Sequence, residues 1–249
     1  MFFSIVSFRV YNSQNDLVNC MSDISRVNRS HNACRTNYDH LSRWFDLLEG
    51  GWENRARQIG LCSLHITTGE KVLEIGCGTG HSLAEISQSA SAIGLDLSFG
   101  MLSHTRDRLE KVHQAVKLIQ GDALWLPFPA SSFNVIFMAF TLELMDTPEI
   151  PTVVSEIWRV LKPGGRLGIV SLSMLGGIDA MRKLYELAHD LFPVSVDCRP
   201  IFARKFIEQP GITILDHSLT SQTGLGIEIV VGEIAKPVER RSHGFQREE

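Results

Sequence analysis

The chain has no run of the roughly 18 to 20 unbroken apolar residues that a membrane-spanning helix needs, so no integral membrane segment is expected. Cysteine is scarce. Cys20, Cys34, Cys62, Cys77 and Cys198 are an odd set with no C-x-x-C pair, which argues against a disulfide framework and fits reduced thiols in a cytosol. Nor does charge of one sign dominate: 24 Lys and Arg stand against 28 Asp and Glu, a formal net charge of −4. Without a basic excess there is no electrostatic reason to expect nucleic acid as a partner. The apolar start (Phe2, Phe3, Ile5, Val6, Phe8) has no basic region before it and no small-residue cleavage site after it, so it does not read as a signal peptide. The expectation is a cytoplasmic protein, monomer or homodimer, that acts on a small molecule and holds no metal.

With 249 residues, 44% hydrophobic and 21% charged, the chain suits one α/β domain with small additions. Residues 1–36 read as a polar, flexible leader in which Met21 is an alternative start, and 237–249 as a charged, disordered tail. From Asn37 to about Leu64, Tyr38, Leu41, Trp44, Phe45, Leu48 and Trp52 recur three or four apart, predicting a helical cap divided at Gly50-Gly51. Short aliphatic runs then alternate with amphipathic stretches. Strands are predicted at Lys71–Ile75, Ala92–Leu95, Val116–Gln120, Phe133–Met138, Arg166–Leu172, Thr213–Ser218 and Gly226–Ile234. Helices are predicted at Ser82–Ser89, Phe99–Lys111, Pro148–Leu161, Ile178–Leu191 and Ala203–Glu208. Such alternation gives a Rossmann-like, mostly parallel sheet with helices on both faces. The last two strands have no clear helix between them and should form an antiparallel hairpin at one edge.

The first strand runs into Gly76-Cys77-Gly78-Thr79-Gly80 and then a helix. Glycines allow a tight turn and let a ligand reach the backbone without meeting a Cβ. A dinucleotide site would read G-x-G-x-x-G, but the sixth position from Gly76 is His81. The spacing is instead E-x-G-x-G-x-G, led by Glu74. A carboxylate there repels a pyrophosphate and welcomes an ammonium group, which points to S-adenosylmethionine: a sulfonium with an amino-acid tail and no phosphate. Asp96 follows the second strand, 22 residues after Glu74, where a carboxylate can accept from ribose hydroxyls; helix capping, its alternative role, can fall to Ser98. Asp122, in Gly121-Asp122-Ala123, can accept from the adenine amino group with the Ala123 amide facing the ring. Leu97, Met101 and Leu124 are placed to sandwich that ring.

These motifs, with Leu126-Pro-Phe128 and Leu161-Lys-Pro-Gly-Gly-Arg166 in order, resemble the class I S-adenosylmethionine-dependent methyltransferases over roughly residues 37–235. The resemblance is closest to the branch that includes ubiquinone/menaquinone C-methyltransferases. It implies a seven-stranded sheet whose seventh strand is antiparallel, S-adenosylmethionine as cofactor and S-adenosylhomocysteine as product. One departure is Asn134, where many relatives carry aspartate; the position is structural in the family.

Methyl transfer needs the acceptor held in line with the donor and water excluded. The loop after the fourth strand, Ala139-Phe140-Thr141-Leu142-Glu143-Leu144-Met145-Asp146, lacks the Asn/Asp-Pro-Pro-Tyr/Phe signature that positions an amino nitrogen, so nucleobase N-methylation is disfavoured. Phe140 is expected at the cofactor. The acceptor wall is expected from the N-terminal helices and the insertion 173–210: Tyr38, Trp44, Phe45, Trp52, Met174, Leu175, Tyr185, Leu191, Phe192 and Phe202, with Arg199 for an acceptor oxygen or carboxylate. Many of these equally suit plain helix packing. Candidate bases are His81, Glu143, His189 and His217, each also suited to a structural role. The expected reaction is C- or O-methylation of a small hydrophobic or aromatic acceptor, a quinone precursor among them. The alternatives are N-methylation of a small amine or lipid headgroup, a non-catalytic S-adenosylmethionine-binding protein, and a nicotinamide dehydrogenase.

Overall fold

The computed structural model describes residues 51–191 and 198–235, together with Ile24, Arg26 and Val27. The rest of the leader, the tail and most of the helical cap lie outside these residues.

Seven strands form one sheet in the order β3-β2-β1-β4-β5-β7-β6. They are β1 (Lys71–Ile75), β2 (Ser91–Asp96), β3 (Lys117–Gln120), β4 (Phe133–Ala139), β5 (Leu161–Gly177), β6 (Ile212–Gln222) and β7 (Leu225–Ile234). The helices are α1 (Gly51–Ser63), α2 (His81–Ile86), α3 (Phe99–Lys111), α4 (Ile150–Val160), α5 (Asp179–Leu191) and α6 (Ala203–Ile207). β1 to β5 pair in parallel, while β7 is antiparallel to both β5 and β6. The expected hairpin is present, with β7 inside and β6 at the edge. Its two-residue turn, Thr223-Gly224, has positive φ at both positions (50° and 85°), the twist that joins antiparallel strands tightly.

β1 and β4 are buried along almost their whole length, as parallel strands covered on both faces must be. One apolar cluster (Leu73, Ile75, Ile136, Met138, Val153, Ile157) faces α4. A second (Ala56, Leu64, Val72, Phe137, Val170, Ile229) takes α1. β5 begins earlier than its apolar run predicts because Leu161 already pairs with Phe133. The ladder then breaks over Pro163-Gly164-Gly165 and resumes at Arg166, with Gly164 at φ 73° making the turn. Asn134 accepts from the Lys71 amide (3.1 Å) and from Lys162 Nζ (2.9 Å), so it ties β1, β4 and the start of β5 together. The Leu126-Pro-Phe128 segment is fastened by α4: Glu156 accepts the Leu126 amide, and Arg159 donates to the Leu126 and Phe128 carbonyls.

α1 seats on the sheet through a glycine. A Cβ at Gly60 would lie 2.3 Å from Val170 Cγ2 and 3.4 Å from a Phe137 ring carbon. Alanine is the better helix former by about 0.8–1 kcal/mol, but overpacking here costs roughly 1–3 kcal/mol. Gly60→Ala is therefore expected to lower the urea midpoint of the full chain, and an unchanged or higher midpoint would show that α1 sits looser than described.

Candidate functional site

Register places the chemistry. Glu74 pairs with Gly94 and Ile75 with Leu95, so the carboxylates of Glu74 and Asp96 emerge from neighbouring parallel strands at the same end of the sheet. There the strand ends open into one cleft of about 1450 Å³, counted to its solvent-filled mouth. Glu74, Gly76, Cys77, Gly78, Gly80, Asp96, Leu97, Met101, Asp122, Ala123 and Phe140, expected from sequence around a cofactor, all line it.

The glycine loop is braced from three sides. The Gly76 and Cys77 amides donate to the Leu95 carbonyl, continuing the β1–β2 ladder into the turn. The Gly78 amide donates to Asp96 Oδ2 at 2.9 Å, while the Ser98 amide donates to Asp96 Oδ1 at 2.9 Å. From α3, Thr105 Oγ1 donates to the Gly78 carbonyl (2.6 Å) and Arg108 Nε to the Thr79 carbonyl (2.7 Å). Thr141, after β4, lies so close that a Cβ at Gly76 would meet it at 2.3 Å. Gly76, Gly78 and Gly80 all have positive φ (69°, 53° and 83°), a region costly for side chains. A Cβ at Gly78 would meet nothing within 4 Å, so this part of the loop borders free space.

Ser98 caps α3 by accepting from the Met101 amide at 3.1 Å, leaving Asp96 to the loop. Each Asp96 oxygen accepts one backbone amide, so the carboxylate is held in a fixed orientation at the end of β2. Asp122 Oδ1 accepts from the Leu124 amide, fixing its own turn beside Ala123. Cys77 contributes backbone: its thiol is buried with Leu83, Leu102 and Leu109, and burial pushes its pKa well up. Phe140 has φ 52°, unusual for an aromatic residue, and its amide donates to the Val170 carbonyl.

Among the base candidates, His81 lines the cleft; Glu143, His189 and His217 do not. His189 is buried on α5. His217 Nε2 lies 2.8 Å from Glu228, which also accepts the Ala203 amide, so this pair braces α6 on the hairpin. Glu143 is fully buried behind the loop. Arg199, expected at the acceptor, is equally buried, and its guanidinium donates to the carbonyls of Glu143 and Met145 and to Thr147 Oγ1. Its donors turn inward, making it a clamp on the loop. Tyr185 packs against the apolar cluster under α1 rather than lining the cleft. Tyr38, Trp44 and Phe45 lie outside the described residues, as do the side chains of Trp52 and Phe192. Of the remaining acceptor candidates, Met174 and Leu175 continue β5, Leu191 is exposed, and Phe202 packs against the core and carries Lys205 over its ring.

The cleft includes residues the sequence did not bring forward: Val27, Glu53, Arg57, Asp146, Glu149 and Cys198. Arg57, on α1, donates to Asn54 Oδ1 and lies 3.7 Å from Glu53. Thr105 had a visible signal, being polar on the buried face of α3 beside Met101, Leu102 and Leu109.

A family model described as a methyltransferase domain matches residues 72–165, the span from β1 through the Pro-Gly-Gly turn. A demethylmenaquinone methyltransferase of Geobacillus is 31% identical over 166 residues, covering 65% of this chain and 70% of the relative. This chain belongs to the class I S-adenosylmethionine-dependent methyltransferases. A second relative, from Symbiobacterium thermophilum and of the same name, is 34% identical over 136 residues, 52% of each chain, so the chain matches about half of that relative's length. Among solved structures, a 1,6-didemethyltoxoflavin-N1-methyltransferase of Burkholderia thailandensis shares the fold at a TM-score of 0.63, with 14% identity over 86% of this chain and 95% of that one.

The residues fit the family's cofactor. The loop borders free space at Gly78, and three carboxylates on successive strand ends suit an ammonium, a ribose and an adenine amino group, whereas they would oppose a phosphate.

Burial raises the Glu143 carboxyl pKa to about 8; the Leu172 amide on Oε1 pulls the other way. Between pH 4.5 and about 8 the folded chain therefore keeps a proton that the unfolded chain releases, and stability falls as pH rises through that window. Glu143→Gln keeps the acceptor for Leu172 and removes the titration. Its stability advantage over the wild type is expected to grow with pH by up to about 1.4 kcal/mol per unit and to level off above about pH 8. Parallel urea titration profiles for the two proteins from pH 5 to 9 would refute a buried neutral carboxyl.

Proposed function

We propose that this chain transfers the methyl group of S-adenosylmethionine to a small hydrophobic acceptor by C- or O-methylation, with a quinone precursor as the first acceptor to test. The observation that carries the proposal is the convergence of Glu74, Asp96 and Asp122 on one cleft around a glycine loop held open. The names of the two relatives support the choice of a quinone precursor. The donor is expected to be free and water-borne, the acceptor a small molecule rather than nucleic acid, and the setting the cytoplasm. No described helix is long and apolar enough to cross a membrane.

When bound, the cofactor supplies an electrophilic methyl group on a sulfonium. Glu74 would take the ammonium of its tail, Asp96 the ribose hydroxyls, and Asp122 with the Ala123 amide the adenine edge. Leu97, Met101 and Leu124 would flank the ring. Loop bracing by Thr105, Arg108 and Thr141 means that little backbone order remains to be gained on binding. Phe140, Leu144 and Met145 give the acceptor end an apolar lining that excludes water. His81 is the candidate proton acceptor that faces the cleft. We propose that positioning dominates and that no single base is indispensable.

The test is the full chain with methyl-labelled S-adenosylmethionine and a panel of hydroxylated quinone precursors, phenols and small amines, following label transfer and S-adenosylhomocysteine release. Label on a carbon or oxygen of an aromatic acceptor is the expected result. Tight binding with no transfer to any acceptor would instead indicate a non-catalytic binding protein. Glu74→Gln is expected to weaken S-adenosylmethionine binding by roughly 10- to 100-fold, the worth of a hydrogen bond to a charged group. Affinity for 5′-methylthioadenosine, which lacks the amino-acid tail, should stay unchanged. Equal losses for both ligands would sink the assignment of Glu74 to the tail.

A further inference from the structure

α5 is turned the opposite way from an ordinary surface helix, which buries its apolar stripe and shows its charges to water. Arg182, Tyr185 and His189, three and four residues apart, form its inner face. Tyr185 packs against the cluster under α1, His189 is buried, and Arg182 pairs with Glu186 at 2.9 Å with its side chain only 19% exposed. Ala180, Leu184, Leu187 and Leu191 lie outward, the three leucines at 59%, 53% and 62% exposed. Their spacing of four, three and four residues is that of the seam along which two helices interlock.

The start of this helix is firmly set. The Ile178 amide donates to the Gly224 carbonyl at 2.7 Å, and a Cβ at Gly224 would meet Met181 Cγ at 2.8 Å. The stripe is therefore presented by an element packed against the β6–β7 hairpin.

The charges beside the seam select its occupant. α5 carries Asp179, Glu186 and Asp190 against Arg182 and Lys183, whereas a helix that lies in a lipid surface carries a basic polar face. Lys183 and Asp190 are both exposed and stand seven residues apart, on one edge of the seam. In an antiparallel pair of α5 helices, Leu184 falls opposite Leu187 and Ala180 opposite Leu191. Lys183 of each copy then comes beside Asp190 of the other, and the two-fold axis makes that contact twice.

We infer that α5 is a docking surface for a second copy of this chain. The seam of Ala180, Leu184, Leu187 and Leu191 pairs antiparallel with itself, and the Lys183 to Asp190 contacts set its register. A helix of 13 residues is about 20 Å long, which places the interface at the small end of specific ones, under roughly 1,200 Å² in total. The dimer is accordingly in equilibrium with monomer and depends on concentration.

The test is sedimentation velocity on the full chain from micromolar to hundreds of micromolar. The wild type should pass from monomer to dimer across that range. Leu184→Ser combined with Leu187→Ser should stay monomeric. Its urea midpoint at the dilute end should match the wild type because both side chains are exposed, which separates lost docking from lost folding. Lys183→Glu or Asp190→Lys alone should weaken association by roughly three- to tenfold. The two together exchange the charges and should restore it. Carbodiimide coupling of a mixture of unlabelled and isotope-labelled chains should join Lys183 of one copy to Asp190 of another. A wild type monomeric throughout, or a dimer indifferent to the leucine pair or to the charge exchange, would overturn the inference. So would wild-type binding to phosphatidylcholine vesicles that the leucine pair abolishes, which would assign the stripe to lipid. No α5 residue lines the cleft, so these outcomes leave the donor site untouched.

Discussion

Asp96 sits at the end of β2 with one oxygen on the Gly78 amide and the other on the Ser98 amide. That single carboxylate sets the distance between the glycine loop and the start of α3, and both must be right before any nucleoside can enter. Thr105 and Arg108, on the helix that Ser98 caps, then reach back to the Gly78 and Thr79 carbonyls. The loop is fastened through amides from one side and carbonyls from the other. That shape needs positive φ at three positions, and glycine supplies it without the steric cost a side chain would carry. The side chains that surround the cofactor's place are thereby ordered by contacts that exist without it.

The same arrangement decides the sign of the ligand. Among the described residues, six carboxylates line the cleft (Glu53, Glu74, Asp96, Asp122, Asp146 and Glu149), against one arginine, Arg57. Several are partnered within the protein, yet the aggregate field favours a cation and disfavours a diphosphate. A dinucleotide fold would use the same strand, turn and helix with the opposite electrostatics. The distinction that Glu74 makes in the sequence is therefore repeated by the whole wall.

The central sheet was legible because its physical demands leave few choices. β1 and Phe99–Lys111 have the ends their residues predict, since a strand buried on both faces and a helix capped by Ser98 mark their own limits. β5 was legible only in its apolar middle. Its first turn is paired through backbone at Leu161, and backbone pairing leaves no side-chain periodicity. The residues that line the cleft around the glycine loop were legible for a different reason: positive φ favours glycine, and a side chain that accepts two backbone amides through two oxygens is most simply Asp or Glu. Arg199 was misassigned because a buried arginine and a ligand-binding arginine look alike in one dimension; what separates them is the direction of the guanidinium, and here it points to the Glu143 and Met145 carbonyls.

The outer wall of the cleft differs in kind. A wall that excludes water requires apolar bulk at a certain depth, and Leu, Met, Phe or Val each meet that need. No backbone angle and no charge narrows the choice, so a residue such as Val27 carries no mark of its place. Its position depends on Asp146, 119 residues away, and on the loop that Arg199 holds. Pairing across that distance follows from the topology, because β4 delivers its loop to the same sheet end as β1 and β2. The inner half of the cleft is set by local geometry repeated at each strand end, and its outer half by which distant segments the fold can bring over it.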